Sequence, residues 1–219
     1  MKFIDLKRTG FLFGQIPINL YKEIDKEVQE LIDTDFNGAE SFAPRLAGAL
    51  EHEYLLWKSR TSVQDFFNTI AAEYFKNSLW YDPIGKNLEL MTLWCNFQKK
   101  NEYNPIHTHS GHLSFVIWHR VPYDITEEAL SPNRRDINGN GADLFQFVYP
   151  DEHVKGGVNN HSLRIDKSYE GMFALFSNDL SHVVYPFYTS DEWRVSVSGN
   201  LYVQNEQGEC IRYPGRDEQ

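Results

Sequence analysis

The segment HTHSGH, at positions 107–112, places three histidines within six residues. His107 and His109 are separated by one residue, so both imidazoles project from the same side of an extended segment. Two imidazoles held in this way suit a single metal ion, and neutral imidazole binds iron, zinc, copper or nickel. His112 has the opposite parity, so we do not expect it to bind the same ion. Because an isolated H-x-H pair also arises by chance, a metal site requires another ligand elsewhere in the chain.

A candidate for that ligand is His182, in the segment MFALFSNDLSHVVYPF, where it lies between two apolar stretches. Arg194 follows on the next predicted strand, WRVSVSGNLYVQ, in which polar residues alternate with valines. The polar positions are Arg194, Ser196, Ser198 and Asn200. Residues two apart share one face of a strand, so this strand has one polar face and one apolar face. A polar face either contacts water or lines a polar cavity, and the sequence alone favours neither.

The elements that would position these residues fall into two regions. Residues 1–82 are predicted to be mainly helical, with a first helix capped by Asn19. A second helix is indicated by a possible Thr61–Gln64 capping box and an apolar stripe. The stripe consists of Val63, Phe66, Phe67, Ile70 and Tyr74.

Beyond residue 82, seven short segments rich in β-branched and aromatic residues predict strands. They are LELMTLWCNFQ, HLSFVIWHRVPY, ADLFQFVYP, HSLRI, MFALFS, HVVYPF and WRVSVSGNLYVQ. Helices followed by strands predict an α+β, mainly β fold: a double-stranded β-helix (a cupin-like jelly roll) with N-terminal helices packed on one sheet. We therefore expect a single domain over residues 1–219, with a helical region at 1–82 and a jelly-roll core at 83–219.

The length, charge and cysteine content of the chain disfavour several classes of protein. The chain has 219 residues, of which 41% are hydrophobic, so it is long enough to bury a large core. Its formal charge of −10 disfavours non-specific binding to nucleic acid, which requires basic residues. No signal peptide and no membrane-spanning run is expected. Cys95 and Cys210 form neither a disulfide framework nor a zinc motif, so a reducing compartment, the cytoplasm, is predicted.

The order H-x-H, distant histidine, then arginine resembles that of the iron(II)- and 2-oxoglutarate-dependent oxygenases. The chain is most similar to members of this superfamily found in phage and marine bacterial genomes. The similar stretches are LWCNFQKKNEYNPIHTHSGHLSFVIWHRVP, GADLFQF and FALFSNDLSHVVYPFYTSDEWRVSVSGN. The resemblance covers most of the chain and implies a cytoplasmic protein of a bacterium or of a phage-infected host cell.

The resemblance implies Fe(II) and 2-oxoglutarate as cofactors, with His107 and His182 as iron ligands. It implies that Arg194 pairs with the far carboxylate of 2-oxoglutarate, for which a planar guanidinium is suited. The cofactor pocket would be completed by Ser196, Asn96 and Ser114. The implied reaction is hydroxylation of a small molecule or a protein side chain, with release of succinate and CO₂. A homodimer is the common default for such a protein.

The chain departs from the superfamily at His109, which stands where the carboxylate ligand is expected. His109 is expected to bind the metal itself, giving three imidazole ligands. Alternatively, it leaves a position for water or substrate, or a carboxylate such as Asp179 or Asp143 replaces it. Two rival functions stay open: a cupin-type three-histidine enzyme independent of 2-oxoglutarate, and a non-catalytic β-sandwich binding module. The remaining histidines, including His119, are predicted to be surface or strand-end residues.

Overall fold

The structure is a computed structural model that describes residues 1–5, 10–46, 48–78, 87–133, 145–151 and 154–211. Within these ranges the chain forms two antiparallel sheets and three α-helices. The strands are β1 (Lys2–Asp5), β2 (Gly10–Gln15), β3 (His52–Leu55), β4 (Leu88–Gln98), β5 (Asn104–His107), β6 (Leu113–Arg120), β7 (Phe145–Pro150), β8 (Val158–Leu163), β9 (Met172–Ser177), β10 (Ser181–Val184) and β11 (Arg194–Val203). The helices are α1 (Ile18–Asp33), α2 (Arg60–Asn77) and α3 (Ile125–Ala129).

The larger sheet has seven strands in the order β1-β2-β9-β6-β11-β4-β3, and the smaller has four in the order β5-β10-β7-β8. Aromatic residues from the two sheets pack against each other, such as Phe11 of β2 against Phe147 of β7, whose ring centroids are 4.6 Å apart. One cluster of buried residues therefore lies between the sheets. The strands that carry HTHSGH, His182 and Arg194 all border this interior.

The outer face of the larger sheet is covered by α1 and α2. The apolar stripe predicted for the second helix is confirmed, since Val63, Phe67, Ile70 and Tyr74 are buried and Phe66 packs partly buried against the same cluster. Phe67 stacks on Phe115 of β6 with ring centroids 4.0 Å apart. The helices thus bury the apolar face of the sheet and leave its other face to the interior between the sheets.

The start of α2 is stabilised by a buried carboxylate and not by the predicted Thr61–Gln64 capping box, which is wrong. Glu27 of α1 accepts hydrogen bonds from the backbone N–H groups of Trp57, Lys58 and Ser59 at 2.7, 2.8 and 2.9 Å. A carboxylate at a helix N-terminus satisfies free N–H groups and complements the helix dipole. The first helix also begins earlier than expected, at Ile18, directly after Pro17.

All seven predicted strands are present, but the prediction that residues 1–82 are mainly helical is wrong in part. β1, β2 and β3 lie in this region and belong to the larger sheet. These strands are short, and their pairing with distant strands, which sequence periodicity does not report, stabilises them. β5 was also missed because Pro105 disfavours a strand, although an edge strand tolerates proline. The predicted boundary at residue 82 lies outside the described residues.

Candidate metal centre and cofactor cavity

Two of the predicted ligands lie opposite each other on paired strands. His107 ends β5, and His182 lies on β10, directly across the antiparallel ladder. Their imidazole ring centroids are 4.2 Å apart. The pairing of β5 with β10 therefore brings together two histidines that are far apart in the sequence.

His109 joins this pair from the loop that follows β5. Its Nε2 atom lies 3.1 Å from Nε2 of His182. The loop is held in place by Asn178. Its side-chain NH₂ donates to the His109 backbone carbonyl at 3.2 Å, and its backbone carbonyl accepts from the His109 N–H at 3.1 Å. Gly111 then turns the chain into β6 with a φ of +91°, where a Cβ would meet the Leu201 carbonyl at 3.0 Å.

The three histidines form a metal-competent cluster, in which one ligand atom from each lies within 4.8 Å of the others. When two nitrogens each lie about 2.1 Å from one metal ion and the nitrogen–metal–nitrogen angle is a right angle, the nitrogens are about 3 Å apart. The separation of the His109 and His182 Nε2 atoms matches this distance. Nδ1 of His107 lies 2.7 Å from the Pro105 carbonyl, and Nδ1 of His182 lies 3.2 Å from the Leu180 carbonyl. These carbonyls favour protonation of Nδ1, which leaves the Nε2 lone pairs for a metal.

Burial keeps the imidazoles neutral, as metal binding requires. It lowers the pKa of His109 to about 3, with the nearby charge of His107 as a further cause. It also lowers the pKa of His107 and holds the pKa of His182 well below its usual value. The residues present therefore fit a divalent transition metal bound by three imidazoles.

No carboxylate of the described residues belongs to this cluster. Asp179, one of the two predicted substitutes, is exposed in the turn between β9 and β10. Asp143, the other, lies outside the described residues. The geometry places His109 where the third ligand would be, and its role as a ligand stays a prediction.

Arg194 is buried, with 5% of its surface exposed, and its hydrogen-bond partners among the described residues are all neutral groups. Its guanidinium donates to Oε1 of Gln98, to the Tyr123 hydroxyl at 3.1 Å and to the Tyr185 carbonyl at 2.9 Å. Within the described ranges, no carboxylate lies in ion-pair distance of it. A buried guanidinium without an anionic partner fits a bound carboxylate such as that of 2-oxoglutarate.

One cavity between the sheets is lined by the three histidines, Arg194, Ser196 and Asn96. The side-chain amide of Asn96 donates to the Ser196 hydroxyl at 3.2 Å, across the β4–β11 pair. The polar face of β11, which the sequence left undecided, therefore lines the interior. Ser114 lies on the neighbouring β6 but does not line the cavity, and its hydroxyl donates to Asn200 at 3.1 Å.

Sequence reasoning missed several polar residues of the cavity wall. Gln98 shares the face of Asn96 on β4, so strand parity could have found it. Glu53 lies on β3, opposite Asn96, and could not be placed because β3 was not predicted. Asn104, at the start of β5, also lines the cavity.

His119 lies near the end of β6, as predicted, but it is not a surface residue. It is fully buried on β6, and its Nε2 atom lies 3.0 Å from the Asp25 carboxylate of α1. Burial lowers its pKa to about 4, although the hydrogen bond to Asp25 opposes that shift. This contact joins α1 to the sheet on the side opposite the cavity.

Comparisons with known proteins agree with this geometry. The family described as "Putative 2OG-Fe(II) oxygenase" matches residues 92–200, about half of the chain. No functionally curated protein matches the sequence. Solved structures with the same fold include a Pseudomonas putida prolyl-4-hydroxylase (10% identity, TM-score 0.54, covering 90% of this chain and 94% of that one). AviO1 from Streptomyces viridochromogenes Tue57 is similar at 11% identity and a TM-score of 0.56, covering 95% of this chain and 94% of that one.

A third solved structure, the epimerase SnoN in complex with Fe³⁺, alpha-ketoglutarate and nogalamycin RO, has 13% identity and a TM-score of 0.50, covering 97% of this chain and 89% of that one. The jelly-roll fold with N-terminal helices on one sheet is therefore confirmed. Through residues 92–200 the chain belongs to the superfamily of 2-oxoglutarate- and Fe(II)-dependent oxygenases, whose cofactors are Fe(II) and 2-oxoglutarate. The three-histidine cluster fits the iron. Among the described helices, none is long and apolar enough to cross a membrane.

Proposed function

We propose that the protein hydroxylates a small molecule or a protein side chain and releases succinate and CO₂. The observation that carries this proposal is the single cavity that contains both the three-histidine cluster and the Arg194 guanidinium, which has no anionic partner among the described residues. The prolyl-4-hydroxylase among the structural neighbours supports hydroxylation as the outcome. When bound, iron and 2-oxoglutarate together supply the means of activating O₂.

The histidines have distinct positioning roles in this proposal. His107 and His182 present Nε2 to the metal because backbone carbonyls hold their Nδ1 atoms. His109 is the third ligand, and the Asn178 contacts fix its loop. Three neutral imidazoles leave one more positive charge at the iron than two imidazoles and a carboxylate, so we expect a higher reduction potential.

Arg194 binds the carboxylate of 2-oxoglutarate that lies far from the iron. Gln98 and the Tyr123 hydroxyl hold the guanidinium in one orientation, which lowers the ordering cost of binding. The Ser196 hydroxyl adds a hydrogen bond from the same face of β11. Trp118 and Phe145, whose rings pack edge to face, line the same cavity and limit access of water to it.

The test is an anaerobic titration of the metal-free protein with Fe(II), with and without 2-oxoglutarate, followed by the visible iron-to-oxoglutarate charge-transfer band. We expect the band only when both are present. His182→Ala should abolish iron binding, whereas His161→Ala, outside the cluster, should not. Arg194→Met should bind iron but form the band only at much higher 2-oxoglutarate concentrations, with the exposed Arg164→Met as its control.

Iron binding without the band would identify a three-histidine enzyme that does not use 2-oxoglutarate. Failure to bind iron would favour a non-catalytic binding module. An unchanged 2-oxoglutarate requirement in Arg194→Met would contradict the assignment of this anchor. Formation of succinate in proportion to the O₂ consumed then tests the reaction itself.

A further inference from the structure

A carboxyl group on the cavity wall has no role in holding the metal or 2-oxoglutarate. Glu53 lies on β3, faces the same side of the sheet as Asn96, and has 1% of its surface exposed. It is the one carboxylate among the described residues that line the cavity. It does not belong to the histidine cluster.

Asn104 places a second oxygen acceptor beside this carboxyl. A Cβ added at Gly48 would lie 3.2 Å from Oε1 of Glu53 and still closer to Oδ1 of Asn104. The two oxygens therefore converge over a position that only glycine leaves open. The backbone N–H of Ala49 donates to the Tyr103 carbonyl at 2.9 Å, which joins the Gly48 segment to the start of β5.

An irregularity in β5 directs Asn104 towards the same cavity as His107. In the β5–β10 ladder, His182 pairs with His107 and Val184 pairs with Asn104, so β5 has one more residue than β10 between these pairs. A bulge of this kind shifts the alternation of side chains by one residue, so Asn104 and His107, which are three residues apart, face the same side of the sheet. Along a strand, three residues span about 10 Å. A small molecule or a long side chain is therefore long enough to reach from the oxygens of Glu53 and Asn104 to the metal centre.

Neither oxygen of Glu53 nor Oδ1 of Asn104 has a hydrogen-bond partner in the described structure. Buried acceptors without partners are rare because their desolvation is not compensated. Arg194, the cation of the same cavity, is held by Gln98 and Tyr123 instead. Burial and the nearby charge of Glu102 raise the pKa of Glu53 to about 7, which reflects the missing partner.

We propose that Glu53 and the side-chain oxygen of Asn104 bind a positively charged nitrogen of the substrate, an ammonium or a guanidinium group. Such a group supplies several N–H donors and the charge that a buried carboxylate lacks. It would anchor the substrate at one end and leave its carbon chain directed towards His107. This inference rests on the proposed function, because it assigns the substrate class of the same site.

The test compares probes of equal length that differ in charge. Butylammonium, 1-butanol and butyrate are titrated anaerobically into the protein loaded with Fe(II) and 2-oxoglutarate, and dissociation constants are obtained from the broadening of probe proton resonances by the iron. At pH 8 we expect butylammonium to bind about tenfold more tightly than 1-butanol. Butyrate should bind most weakly.

The variants test whether Glu53 is responsible. Glu53→Gln should reduce the preference for butylammonium to less than about twofold while leaving the charge-transfer band intact. Glu51→Gln, an identical change at an exposed position two residues away, should keep the preference. Asn104→Leu provides an independent variant if Glu53→Gln does not fold, and it should weaken butylammonium binding several-fold.

The outcomes separate this inference from the proposed function. If the band forms but butylammonium binds no more tightly than 1-butanol, the inference is wrong and the oxygenase assignment stands. The same conclusion follows if Glu53→Gln, or Asn104→Leu in its place, keeps the full preference. If no band forms in the unaltered protein, the proposed function fails, and the probe preference can still be measured by calorimetry.

Discussion

Two buried glutamates lie on opposite sides of the larger sheet, and their surroundings differ completely. Glu27, on the helix side, accepts four hydrogen bonds from the chain leading into α2. Glu53, on the cavity side, accepts none within the described part of the chain. The first carboxylate therefore stabilises the fold, whereas the charged form of the second is buried without a compensating partner among the described residues.

The same contrast holds along β11. Val195 and Val197 pack under the helices in a continuous apolar cluster. Arg194 and Ser196, which alternate with the valines in sequence, face the cavity. Because alternate residues of a strand face opposite sides, one strand contributes to stability on one face and to ligand binding on the other. Substitutions on the two faces should therefore affect different measurements.

The largest expected effect on stability is on the helix face. Phe67→Ala removes a fully buried ring that stacks on Phe115. We expect the free energy of unfolding to fall by about 3–5 kcal/mol, because a cavity replaces the ring. Chemical denaturation measures this loss. At temperatures where the variant is folded, its dissociation constant for Fe(II) should equal that of the unaltered protein, and a parallel loss of iron affinity would remove the distinction between the faces.

The next effect concerns Glu53 and its dependence on pH. Its pKa is raised from 4.5 to about 7, so the folded protein keeps a proton that the unfolded chain loses. The stability that this proton contributes is complete below about pH 4.5 and is lost as the pH rises to about 7. Over this window Glu53→Gln should gain about 3 kcal/mol in unfolding free energy relative to the unaltered protein.

Denaturation of both proteins at several pH values between 4.5 and 8 measures this difference. The histidine cluster is common to both proteins, so its contribution cancels in the comparison, whereas the charge of Glu102 acts on Glu53 and is part of the effect measured. Glu51→Gln is the matched control and should show no such trend. A difference that stays constant with pH would indicate that Glu53 has a partner in the folded protein.

Glu27→Gln should have a smaller effect in the opposite direction. An amide keeps one acceptor oxygen but places an NH₂ group against N–H donors, so part of the α2 cap is lost. We expect destabilisation by about 1–3 kcal/mol at pH 7. Unfolding by denaturant at that pH, with both glutamate variants side by side, gives the sign of each change. Equal signs would contradict the comparison of the two glutamates.

The sequence predicted the jelly roll because strands such as β4 and β9 are visible locally, as short runs rich in apolar and aromatic residues. It also identified the histidines that cluster, since their order along the chain is similar to that of a known superfamily. The sequence did not predict Glu53 and Asn104 as residues of the site, and the reason is physical. β3 is four residues long and is held by pairing with β4, and the bulge in β5 exists only in the paired ladder.

His119 illustrates the same limit on the helix side. Its segment, VIWHRVP, led to the prediction of a surface or strand-end residue. Its burial depends on α1, where the carboxylate of Asp25 and the ring of Tyr21 both contact the His119 imidazole. For His119, Glu53 and Asn104, contacts between elements distant in sequence therefore decided the environment.

The smallest effect separates two serines that the sequence placed in one cofactor pocket. The hydroxyl of Ser196 lines the cavity, beside Arg194 on the same strand, whereas that of Ser114 is directed to Asn200. Ser196→Ala should raise the dissociation constant of 2-oxoglutarate about two- to tenfold, the value of one hydrogen bond. Ser114→Ala should change it by less than about twofold, since it removes a bond outside the cavity. Titration of the charge-transfer band in both variants measures these constants. Equal increases would indicate that Ser114 also belongs to the 2-oxoglutarate pocket.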